Sequence, residues 1–130
     1  MATSVDLYQY DAQLSDVPSK QITLSADGAV DLALLNMGSS YYITKGSAAA
    51  ITLAAPIAGP AINGGHDGLR ITFVAASAFA HTVTQTSPGF NNASTAQDVA
   101  TAAGALGNNF TVEARNGVWW TVGNTGFTLA

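Results

Sequence analysis

A chain of 130 residues is long enough for one domain that buries roughly two-thirds of its unfolded surface, and having no cysteine it can form neither a disulfide nor a thiolate metal site. Four Lys and Arg against eight Asp and Glu give a net charge of −4, which excludes the clustered cations that nucleic-acid binding needs. No stretch approaches the roughly 20 apolar residues that span a bilayer, which excludes a membrane-crossing helix.

In chain order, residues 1–19 show no sustained period. The opening MATSVDLYQYDAQ has neither the basic nor the apolar region of a secretory leader, so synthesis in a cytosol is expected. Tyr8 and Tyr10 share one side of an extended segment with Leu7 on the other, and Pro18 disfavours helical geometry at Val17. Residues 1–31 hold Asp6, Asp11, Asp16, Asp27 and Asp31 against Lys20 alone, a net of −4, while the remainder sums to zero. The expectation is an acidic, aromatic-bearing N-terminal arm over residues 1–19, with Tyr8 and Tyr10 meeting another subunit or a host surface. The alternative is a frayed terminus.

From Lys20 to Ala130 short strands alternate with turn residues, which makes 20–130 the folded domain. Strands are expected at 21–24, then at 29–35 after a hairpin-grade Asp27-Gly28 turn, and at 41–44 and 49–54. The stretch 55–68 holds two prolines and Asn63-Gly64-Gly65, and it reads as a long connection. Strands follow at 69–75 and 80–86, a turn-rich loop at 87–94, a weaker strand at 97–102 and a last short one at 127–129 that closes an edge.

The strongest local signal is Asn116-Gly117, two residues that tolerate the positive φ a two-residue hairpin loop demands. That loop sets Arg115 opposite Val118, Ala114 opposite Trp119, Glu113 opposite Trp120 and Val112 opposite Thr121. One face then carries Phe110, Val112, Ala114, Trp119 and Thr121. The other carries Thr111, Glu113, Arg115, Val118, Trp120 and Val122. A half-exposed antiparallel sheet has one apolar and one polar face, yet here each face bears a tryptophan. One Trp belongs in the core; the other asks for a second layer, the arm, or another subunit. Val118, Trp120 and Val122 are therefore the candidate contacts to a sister copy or a larger assembly. Roughly eight to ten short strands, with no sustained helical period, predict an all-β sandwich or barrel. Its many Ala and Thr predict a thin core.

No catalytic, cofactor or metal site emerges. His66 sits in the flexible, glycine-rich 64–68 loop and reads as a loop residue, while His81, on a strand face with Val83, reads as a strand histidine hydrogen-bonded to a neighbour; a metal would need three or four converging ligands. No Gly-x-Ser-x-Gly or phosphate loop occurs. Asp98 and Glu113 are acids without a cleft, and Glu113 is expected to pair with Arg115. Asn92 and Asn109 match the glycosylation pattern by chance. Trp119 or Trp120 with Tyr41 or Tyr42 is the one aromatic pairing that suits a sugar.

Taken in order, Ile43-Thr44-Lys45-Gly46, Ala50-Ile51-Thr52-Leu53-Ala54 with Pro56 and Gly59, Asp67-Gly68 before Ile71-Thr72-Phe73-Val74, Ala80-His81-Thr82-Val83-Thr84, Pro88-Gly89-Phe90-Asn91 and Asn116-Gly117-Val118-Trp119-Trp120 form a pattern over about residues 40–123. It resembles the small β-rich bacteriophage virion proteins of the head-decoration, cement and head-fibre type. The resemblance implies an antiparallel β-sandwich or jelly-roll-like module, non-enzymatic, on the outside of an assembled capsid. Its partners would be the major capsid protein and itself, as a homotrimer in preference to a dimer, with no cofactor. A tail-fibre or head-fibre module that binds a host glycan or receptor is the alternative.

Overall fold

The structure, a computed structural model, describes residues 20–130; the arm expected over 1–19, with Tyr8 and Tyr10, lies outside the described residues. Ten strands form two mixed five-stranded sheets in a sandwich-like, all-β arrangement with almost no helix. They are β1 (Gln21–Leu24), β2 (Gly28–Ala29), β3 (Ser40–Ile43), β4 (Ala50–Thr52), β5 (Arg70–Ala75), β6 (Thr82–Thr84), β7 (Val99–Ala102), β8 (Asn109–Arg115), β9 (Val118–Thr125) and β10 (Phe127–Leu129). One sheet runs β1-β3-β5-β8-β9 and the other β10-β7-β6-β4-β2.

The wholly antiparallel sandwich expected from sequence is corrected by this order. β1, β3 and β5 are mutually parallel, as are β2, β4 and β6. Up to Thr84 the chain alternates between the sheets, laying each strand beside the one it made a turn earlier. Parallel neighbours need a crossover, commonly a helix; here the crossover is a strand of the opposite sheet. The direction then reverses. β7 lies antiparallel on β6 and β8 on β5, β9 completes the Asn116-Gly117 hairpin, and β10 closes the edge beside β7.

Two further expectations change in the first turn. Asp27-Gly28 carries the chain from one sheet to the other instead of closing a hairpin. The strand expected at 29–35 stops at Ala29. Asp31 stops it: its carboxylate accepts the Ala33 N–H (2.9 Å) and the Asn36 side-chain amide (3.0 Å), while the Ala33 carbonyl takes the N–H groups of Asn36 and Met37. Such side-chain bonds to nearby backbone compete with a ladder and curl the chain.

Asp27 fastens the first turn to the second. Its carboxylate accepts from Lys45 Nζ (2.8 Å) and from the Ala50 N–H (2.9 Å). The Lys45 bond, and then the Ala50 amide, hold the Asp27 carboxyl below its ordinary value of 3.8. A carboxyl depressed on folding contributes stability that is complete above its ordinary range and is lost as pH falls through the depressed value. Asp27→Asn should therefore shift the urea midpoint at neutral pH and leave a smaller acid-dependent loss below about pH 4, where the two proteins converge. Parallel midpoint curves down to the lowest pH would refute the fastening.

The core is built around an aromatic row on the first sheet. Tyr41, Phe73 and Phe110 are in register on β3, β5 and β8 and stack at 5.3 and 5.2 Å, with Phe127 4.7 Å and Phe90 5.7 Å from Phe110. In the other sheet Ala100 and Ala102 on β7 are buried beside larger residues, Ile51 on β4, Val83 on β6 and Phe127 on β10. The alanines that suggested a thin core thus sit within one packed cluster, where large and small side chains interdigitate to native density.

Candidate binding surfaces

The hairpin follows the expected register from Val112 with Thr121 to Arg115 with Val118. Beyond it Thr111 faces Gly123, so Val122 is an extra residue in a β-bulge. Trp119 is 0% exposed and donates its indole N–H to the Ala54 carbonyl (2.8 Å). Trp120 is 40% exposed and Val122 48%, with Val118 half-buried. Glu113 pairs across strands with Arg70 (2.6 Å), correcting the expected pairing with Arg115; Arg70 is directly opposed to it on β5. The candidate aromatic pairing is not assembled. Tyr41 and Trp119 both face inward, and Tyr42 on β3 is three strand spacings from Trp120 on β9, about 14 Å.

Both histidines are struts. His66, 1% exposed, accepts the Ile57 N–H on Nδ1 (2.8 Å) and, with its hydrogen on Nε2, donates to the Leu32 carbonyl (2.8 Å). It thereby ties the 55–68 connection to the loop after β2. His81, fully buried, accepts the Ala49 N–H on Nδ1 (3.0 Å) and turns Nε2 to Ser77, whose carbonyl lies 3.1 Å and hydroxyl 3.0 Å away. Neither ring meets a carboxylate among the described residues.

Two surfaces stand out. One is an apolar flank where Leu34, Leu35, Ile57 and His66 border a depression of about 410 Å³, and Ile62 projects from the same 55–68 connection. Leu35 is 92%, Ile62 91% and Ile57 59% exposed. Sequence reasoning missed this flank because Leu34 and Leu35 were placed in a strand. The signal was there in Asp31, two residues before Ala33 and five before Asn36, and in an Ile between Pro56 and Pro60 where no ladder can hold it. The other surface is a depression of about 440 Å³ lined by Asn92, Arg115, Asn116, Val118 and Trp120. It is largely polar.

No protein-family model matches this chain, and no curated protein does.

Proposed function

We propose that this is a non-enzymatic bacteriophage virion protein that adheres to the outside of the capsid as a decoration or cement protein, bound to the major capsid protein and to sister copies in a homotrimer. The observation that carries the reading is the apolar flank. Leu35 is almost wholly in water, and Leu34 and Ile57 border the same depression. Isolated exposed apolar residues are ordinary, but a contiguous set on one flank marks a contact surface. Many copies bound side by side hold by avidity, so modest contacts suffice. The sparse charge of the body, zero net beyond Asp31, suits a protein working within an assembly. Trp120 and Val122 support the reading less directly, because Trp120 sits among polar groups. The body would be jelly-roll-like in its two layers, though not in its strand order.

Burying a Leu or Ile side chain is worth about 1.5–3 kcal/mol. Leu35→Asp with Ile57→Asp should therefore weaken attachment to stripped phage capsids by about a hundredfold or more, and lower the solution mass from a trimer of the 13.2 kDa chain towards the monomer. Light scattering and capsid co-sedimentation read the two effects. A wild-type chain that stays monomeric at all concentrations and sediments with no capsid would refute the proposal.

A further inference from the structure

The polar depression beside Trp120 calls for a different occupant from the apolar flank. Trp120 stands on the outer face of β9 opposite Glu113, whose charge is already matched by Arg70. Arg115 is the diagonal neighbour of Trp120 on the same face, about 7–8 Å away along the sheet. Its guanidinium has no hydrogen-bond or ion-pair partner among the described residues, and neither do the side-chain amides of Asn92 and Asn116. An indole face, a guanidinium fork and two amides therefore converge without being used by the fold.

The loop that brings Asn92 there is held in a costly shape. Asn91 and Asn92 have φ of 58° and 59°, in the left-handed region that non-glycine residues enter at a cost. The Asn91 side chain fixes them against β9: its oxygen accepts the Thr121 N–H (2.8 Å), and its amide donates to Thr121 Oγ1 (2.9 Å) and Gln97 Oε1 (2.7 Å). Asn92 is thus carried to the rim of the depression on backbone pinned from its neighbour, the kind of support that preorganises a binding group.

We propose that this depression is a saccharide site, for pyranose rings bearing a carboxylate. The apolar face of a pyranose would stack on Trp120, as C–H and π faces do in aromatic packing. Arg115 would take the carboxylate in a two-pronged pair. The amides of Asn92 and Asn116, each with a donor and an acceptor, match adjacent sugar hydroxyls. An apolar subunit surface pressed here would instead remove a guanidinium and two amides from water with nothing to pair them, which is costly. The proposal moves Trp120 from subunit contact to ligand and does not depend on capsid attachment.

Because Trp119 is enclosed, a ligand-induced change in tryptophan emission reports Trp120. The full chain would be titrated, without capsids, against galacturonate and mannuronate trisaccharides and their neutral galactose and mannose counterparts. At least one uronate should give a saturable change, with its neutral counterpart binding at least fivefold more weakly. Trp120→Ala should lower the affinity at least tenfold, read by saturation-transfer NMR, and Arg115→Gln should erase the preference for the acidic sugar while sparing the neutral one. Asn92→Ala, in a loop outside the sheets, should cost about fivefold and reads the same site if Trp120→Ala fails to fold. A flat response to every sugar, equal binding of acidic and neutral forms, or affinity unchanged in both Trp120→Ala and Asn92→Ala would overturn the assignment.

Discussion

Trp119→Ala should destabilise the domain by about 3–5 kcal/mol, whereas Trp120→Ala should cost no more than about 1 kcal/mol, the range of ordinary surface changes. The two indoles are chain neighbours on opposite faces of one strand, so the contrast isolates burial from everything else. Trp119 lies over Ala114 on β8 with no solvent exposure, and its N–H is satisfied by Ala54 in the connection that follows β4. Truncation opens a cavity too large for the surrounding strands to close. It also leaves the Ala54 carbonyl without its donor. At roughly 4 °C or more per kcal/mol for a domain of this size, the midpoint should fall by at least about 10 °C. Paired urea and thermal melts check both values. Equal losses from the two substitutions would refute the inside-outside division of the hairpin.

His81→Leu should cost about 2–4 kcal/mol despite the close match in volume. The Ala49 N–H is buried and has the His81 ring nitrogen as its acceptor; leaving it unpaired costs about 1–3 kcal/mol, and the bond from Nε2 to Ser77 adds up to about 1.5. Ser77 in turn donates to the Lys45 carbonyl (2.6 Å), so the ring links the start of β4, the β3–β4 turn and the β5–β6 turn. His81→Asn, with an amide oxygen close to where Nδ1 stood, should recover part of the loss, and hydrogen exchange at Ala49 should follow the same ranking. A leucine variant as stable as the parent would show that the strut carries no weight.

The hairpin was legible because Asn116-Gly117 permits one loop geometry, and a fixed loop determines every facing pair until an extra residue intervenes. Val122 is that residue, and nothing in a run of Val, Trp and Thr announces it. Strand positions were legible because alternation reports which side of a strand is buried. Alternation is silent about the neighbouring strand and its direction: Ile71 and Phe73 on β5 face the core whether β3 beside them runs up or down. The parallel winding was hidden for that reason. Glu113 was assigned to Arg115 because both lie on one strand, while the stronger claim came from Arg70, reached only through the order of the sheet. His66, expected as a flexible loop residue, is instead buried and hydrogen-bonded at both ring nitrogens, and His81 is hydrogen-bonded as its strand setting suggested. Their partners, Leu32 and Ile57 for one and Ala49 and Ser77 for the other, are products of long-range stacking that spacing does not encode. The apolar flank was missed because a single aspartate ended a strand that hydrophobic alternation would have continued.

Because each circuit of the chain up to Thr84 rests on the circuit before it, the body has a growth direction. A whole circuit could be inserted or removed there and the remaining pairs would keep their register, giving a taller or shorter protein of the same cross-section. What sets the height is the reversal: β7 and β8 occupy the far sides of β6 and β5, so no later parallel strand can seat there. The last third of the chain acts as the terminus of this parallel stack, which among the described residues begins at β1 and β2.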